Sequence, residues 1–178
     1  MDNRNLMKRW EAGLDSGLPA PWQKCPLFHV GGVTEVGLSS DGQYLLVISY
    51  HGRGVFDCRT GIKVARDRDE TFDAWLDAEQ GLAQGIGPLA GQNIPIVGGF
   101  VGSALPAATQ DGWRLERLDI ESKMELVWAT PPGEKDGFLS GGCYYKLWDW
   151  DPVFAAGFSQ NGATCVIACS NTIDIWSR

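Results

Sequence analysis

VGLSSDGQYLLVISYHGRGVFDCRTGIKVA, Val36 to Ala65, is the stretch that decides the fold. Ser40-Asp41-Gly42-Gln43 is a turn, because Asp bonds its own backbone and Gly tolerates positive φ. Tyr44 to Ser49 follows as an apolar run of β-formers without helical punctuation. His51-Gly52-Arg53-Gly54 turns again, and Val55 to Cys58 is a short strand. Arg59-Thr60-Gly61 is a third turn. Ile62 to Ala65 then alternates, as a half-buried strand does. The stretch predicts an antiparallel meander with short connections.

An echo of this stretch closes the chain. AGFSQNGATCVIACSNTIDIWSR, Ala156 to Arg178, lies over Val36 to Cys58 without a gap. Gly157 falls on Gly37, Ser159 on Ser39, Gly162 on Gly42, Ile167 on Val47 and Trp176 on Phe56. Identities are few, but the order of turn, apolar strand, turn and aromatic-ended strand is kept. A structural repeat is expected, with Trp176 buried as Phe56 is.

Ser-x-Asp-Gly-x-Tyr-Leu (39–45), followed by a strand ending Val-Phe-Asp-x-x-Thr-Gly (55–61), resembles a blade of a WD-repeat β-propeller. Phe-Ser-x-Asn-Gly (158–162) with Ile-Asp-Ile-Trp (173–176) resembles the second half of another. The likeness covers less than a third of the chain. Neither unit has an early Gly-His pair, and Phe56 stands where the signature has Trp. The middle of the chain carries no clean copy at a blade period of about 40 residues. The resemblance is to small stand-alone bacterial proteins with propeller-like blades and no assigned activity. It implies an all-β fold of antiparallel meanders, propeller-like or sandwich-like, with one or two short peripheral helices.

The 178 residues suit a single β-rich domain, 1–178, able to bury a core without staples. The net charge of −7 argues against nucleic acid or an anionic membrane as partner. Five cysteines, Cys25, Cys58, Cys143, Cys165 and Cys169, form no Cys-x-x-Cys, and no leader is evident. The expectation is reduced thiols in a cytoplasmic protein. No apolar run is long enough to cross a bilayer.

Four further regions frame the repeat. Near the start, Leu6, Met7 and Trp10 share one face of a helix that Asp2 or Asn3 caps and Gly13 ends. Pro19, Pro21 and Pro26 mark an extended connector, with an edge strand from Cys25 to Val30. After the first meander (36–65), residues 67–80 read as an acidic helix. Phe72, Trp75 and Leu76 make its apolar stripe, and Asp69 or Thr71 its cap. Middle strands are expected within 93–129: Asn93 to Val97 with Pro95 at an edge, a two-sided strand Trp113 to Ile120, a turn at Glu121-Ser122-Lys123, and Met124 to Ala129. Cys143 to Arg178 is expected to form the closing meander.

Chemistry-bearing motifs are scarce. Gly98-Gly99-Phe100-Val101-Gly102 has neither the spacing of a dinucleotide fingerprint nor a helix after it. His29 and His51 stand near no nucleophile elbow. Cys165 and Cys169 lie among Val and Ile and read as core. No enzyme activity, cofactor or metal is expected. The expected function is a non-enzymatic protein-binding protein, best matched in profile by bacterial immunity proteins that neutralise a cognate toxin, possibly a basic nuclease. Asp67, Asp69, Glu70, Asp73, Asp77 and Glu79 would supply the steering field, with Trp75 or Trp148 as anchor. The alternative is a carbohydrate-binding or hydrolytic protein using Trp148-Asp149-Trp150-Asp151, since sugars stack on aromatic rings and carboxylate pairs cleave glycosides.

Overall fold

The computed structural model describes residues 3–13, 17–26, 28–99, 104–120, 124–134, 137–149 and 151–178. Helix α1 (Asn3–Glu11) leads to two short strands, β1 (Gln23–Lys24) and β2 (Phe28–His29). The quoted stretch forms β3 (Val33–Leu38), β4 (Tyr44–Ser49), β5 (Gly52–Asp57) and β6 (Lys63–Asp67). Short strands β7 (Leu76–Asp77), β8 (Leu82–Gln84), β9 (Asn93–Pro95) and β10 (Val97–Gly98) follow. Then come β11 (Arg114–Ile120), β12 (Met124–Thr130), a one-turn helix α2 (Gly137–Ser140) and β13 (Tyr145–Trp148). The chain closes with β14 (Ala155–Phe158), β15 (Thr164–Ala168) and β16 (Thr172–Ser177).

Among the described residues these strands make four antiparallel sheets. Sheet I is β7-β8-β9, and sheet II is β10-β3-β4-β5-β6. Sheet III is β14-β15-β16 with β1 and β2 both on β16, and sheet IV is β11-β12-β13. The fold is all-β, as expected. Two expected groupings divide differently. Within 143–178, β13 pairs with β12 and belongs to sheet IV rather than to the closing meander. The strands of 93–129 are shared among sheets I, II and IV. Both differences have one cause: register is set by which faces must be covered, and sequence order does not state that.

The sheets stack in the order I, II, III, IV, because each alternating strand supplies two buried faces. Leu46, Ile48 and Val55 face sheet I, meeting Trp75, Ala83, Leu89 and Ile94. Leu45, Val47 and Phe56 face the other way, onto Val166, Ala168, Ile173 and Ile175 of sheet III. The opposite face of sheet III, with Cys165, Ile167 and Trp176, packs on Trp113, Leu115, Val127 and Ala129 of sheet IV. Behind sheet IV, Leu126 and Trp128 pack against Leu6 and Trp10 of α1 and Phe138 of α2. The helix expected near the N-terminus thus forms, and covers a sheet face. Its expected cap Asp2 and the turn at Glu121-Ser122-Lys123 lie outside the described residues.

The repeat is present in three dimensions. The pairing Leu45↔Phe56 in sheet II recurs as Cys165↔Trp176 in sheet III. Phe56 and Trp176 are 4% and 1% exposed, each on its sheet's face toward the next sheet in the stack. The turns match bond for bond. Ser39 N–H donates to the Tyr44 carbonyl at 2.9 Å, and Ser159 N–H to that of Thr164 at 2.8 Å. The Ser39 hydroxyl donates to Asp41 Oδ1 at 2.6 Å, and that of Ser159 to Asn161 Oδ1 at 2.7 Å. The two turns also touch: Asn161 Nδ2 donates to the Asp41 carbonyl at 2.7 Å and Thr164 Oγ1 to that of Gly42 at 2.7 Å.

Candidate functional site

The acidic segment keeps its exposure but not its expected shape. Residues 67–80 do not form a helix. They run from the end of β6 through a single 3-10 turn, Phe72–Ala74, into β7. The apolar residues do suit a helix, but the carboxylates bind nearby backbone instead. Asp67 Oδ1 accepts from Asp69 N–H at 3.0 Å, Asp69 Oδ1 from Thr71 N–H at 2.8 Å, and Asp77 Oδ1 from Gln80 N–H at 2.9 Å. Such local bonds compete with helix formation. The Thr71 hydroxyl and N–H also hold the Asp69 carboxyl below its usual range.

The eight residues singled out from sequence therefore divide. Asp67 is structural: Arg53 Nε and Nη2 donate to its Oδ2 at 3.1 and 3.0 Å. That arginine is buried and lies 4.5 Å over the Trp75 ring. Trp75 is itself buried, as a core residue between sheets I and II, so it backs the acidic surface instead of projecting from it. Trp148 is buried against sheet III, and its indole N–H donates to the Asp151 carbonyl at 2.9 Å. Asp69, Glu70, Asp73, Asp77 and Glu79 are exposed. Asp73, Asp77 and Trp75 line a shallow recess of about 220 Å³ with Leu82, Gln84 and Asn93, on the side of sheet I away from the core. Glu70 approaches His51 Nδ1 at 3.5 Å, and among the described residues the other four exposed carboxylates form no ion pair.

A second feature lies between sheets III and IV. Lys24, His29, Lys146, Trp148, Asp149, Asp151, Thr172 and Asp174 line a polar cleft of about 490 Å³. Asp174 is buried on β16; its Oδ2 accepts from Lys24 Nζ at 2.9 Å, and its Oδ1 has no hydrogen-bond partner among the described residues. The cleft gathers part of the expected Trp148–Asp151 segment, while Trp150 lies outside the described residues. Trp148 is only 9% exposed, so it offers the cleft little open ring face. Asp149 Oδ2 is taken by Trp10 Nε1 at 3.1 Å. Lys24 and Asp174 were missed from sequence because 150 residues separate them. The one signal was an Asp inside the apolar strand Ile173-Asp174-Ile175.

His51 is exposed in the β4–β5 turn, and His29 Nδ1 is 3.3 Å from Thr172 Oγ1. Among the described residues no group of His, Cys, Asp or Glu is arranged to hold a metal ion. No helix there is long and apolar enough to cross a membrane. Compared with known proteins, the chain matches no family model and no curated protein.

Proposed function

We propose that this chain is a non-enzymatic binding protein that docks a basic protein partner on the acidic end of its sheet stack. Bacterial immunity proteins, which hold a toxin by opposite charge, are the nearest functional type. The stack itself is read as an arc of blade-like sheets, in keeping with the WD-repeat resemblance. The observation that carries the reading is the exposed run Asp69, Glu70, Asp73, Asp77 and Glu79, in which, among the described residues, only Glu70 forms an ion pair, with His51. Several carboxylates in one field attract a cationic surface and raise the rate of encounter. Beneath them the half-buried Arg53–Asp67 pair and the Trp75 ring fix the backbone that presents them.

Asp73→Lys with Glu79→Lys tests the reading, because neither side chain takes part in the turn bonds that Asp69 and Asp77 supply. A tagged protein is used to capture partners from the native host, at low salt and at about 0.5 M salt, which screens exposed charge pairs. One stoichiometric basic partner, lost at high salt and lost with the double variant at unchanged melting temperature, is the expected result. A partner held equally by the variant and at high salt, or no partner at all, would sink the proposal.

A further inference from the structure

A basic groove runs along β6 of this acidic protein. Lys63, Arg66 and Arg68 line a groove of about 600 Å³ with His29, His51, Ser49 and the Val30-Gly31-Gly32 backbone. Both histidines of the chain are there, and no carboxylate lines it, although acids outnumber bases 22 to 15 in the sequence.

The strand geometry shows how the charges were sorted. Side chains alternate along a strand, so Arg66-Asp67-Arg68 sends Asp67 one way and both arginines the other. Asp67 meets Arg53 over Trp75 on the sheet I side, while Arg66 and Arg68 reach the groove. Lys63 has the parity of Asp67 and would point away from the groove in a regular strand. It does not, because the pairing slips. Val55 pairs with Ala65, but the next residue, Phe56, pairs with Lys63, leaving Val64 as the extra residue of a bulge. The bulge turns Lys63 onto the face of Phe56, and its Nζ lies 5.2 Å from the centre of that ring. Bulges re-aim side chains next to functional sites. Here one adds the third cation to the groove.

The walls fit an anion. A Cβ at Gly31 would meet nothing within 4 Å, so the backbone side of the groove is open. Arg66 Nη2 donates to the His51 carbonyl at 2.5 Å, which fixes the guanidinium along the groove and leaves its other N–H groups to donate. Among the described residues Arg68 makes no ion pair with a carboxylate. Glu70 Oε1 lies 3.5 Å from His51 Nδ1. Tyr50, 60% exposed, lies against Gly32: a Cβ there would be 3.0 Å from its Cδ2. Guanidinium forks match phosphate oxygens in pairs, and an exposed ring gives a stacking face beside them.

We propose that this groove binds the phosphoryl group of a small phosphorylated molecule, held by Lys63, Arg66 and Arg68 where a β-bulge brings the three cations to one side of β6. The probes are inorganic pyrophosphate and adenosine diphosphate, titrated by calorimetry at about 50 mM salt. Saturable one-to-one binding is expected, weakened tenfold or more by Lys63→Gln with Arg68→Gln and unchanged by Lys8→Gln, a charge-matched control on α1. Tighter binding of the nucleotide, with the excess removed by Tyr50→Ala, assigns the phosphate to a ring-bearing ligand. Equal binding of both probes assigns it to a phosphorylated compound without a ring. No saturable binding of either probe, or equal binding by the double variant with an unchanged melting temperature, overturns the proposal. Asp73→Lys with Glu79→Lys leaves phosphate binding intact, so this result and the partner-capture result fail independently.

Discussion

Gly42 sits in the turn between β3 and β4 at φ 70°, with the neighbouring sheet's turn packed against it. A Cβ there would stand 2.8 Å from Ser159 Oγ, and the corresponding Gly162 would press on Thr109 at 3.1 Å. Gly133 has a similar φ of 88° but open space around it. Gly133→Ala therefore carries only the left-handed backbone cost, about 1 kcal/mol. Gly42→Ala adds a contact between two layers and is expected to cost at least twice as much. Urea denaturation of both variants checks this; equal losses would mean that the turns do not bear on each other. Asp111 belongs to the related turn Thr109-Gln110-Asp111-Gly112. Its hydrogen bonds from Arg178, at 2.5 and 2.8 Å, and then from Thr109 hold its carboxyl well below the usual range. A depressed folded value means the pair stabilises the fold in full above the unfolded carboxylate value, about 3.9, and the gain is lost progressively as pH falls from there through the folded value. Asp111→Asn should thus lower the melting temperature at pH 6 and converge with the parent toward pH 2. A constant gap across that range would mean the loss is one of packing rather than of charge.

Turn residues were legible in the sequence because their chemistry is local, and at the scale of elements that locality runs out. Ser39, Asp41 and Gly42 carry their own bonds, so the meander could be read from them. The segment 67–80 shows the limit. Its Phe72, Trp75 and Leu76 fit a helical stripe, yet its acids also fit side-chain turns. The choice was made by sheet I, whose few residues need Trp75 and Leu76 to cover Leu46, Ile48 and Val55. The polar cleft was legible only in its Trp148–Asp151 segment, and the basic groove not at all. Each joins strands far apart in the chain, and the bulge that re-aims Lys63 depends on the register of β5 against β6. The core elements, by contrast, give a direct test. Trp176 is 1% exposed, packed between sheets III and IV, with Lys24 Nζ 5.0 Å over its ring. Trp176→Ala is expected to cost about 3–5 kcal/mol in chemical denaturation. A loss below about 1 kcal/mol would show that the last strand is not integral to sheet III.

Across the whole molecule, each sheet rests chiefly on its neighbours, so stability should follow position in the stack. Sheets II and III are covered on both faces, and β1 and β2 from the start of the chain pair with β16 at its end. Sheet IV is closed by α1 and α2 around a knot of rings in which Trp10 meets Phe138 at 5.4 Å and Tyr144 at 6.2 Å. Sheet I has three strands of two or three residues, is covered on one side only, and carries Asp73 and Asp77 on its other side. Layers that touch only their neighbours open from the ends, as in repeat proteins, and the end with the least buried area opens first. Hydrogen exchange should then show amides of β8 and β9 exchanging through local opening, while those of β4 and β15 exchange only on global unfolding. A basic partner bound to the acidic surface would add its binding energy to sheet I alone and slow β8 and β9 toward the rate of β4. Equal protection of all four sheets in the free protein would instead make the stack one cooperative unit, and the acidic end a rigid surface whose partner gains nothing by ordering it.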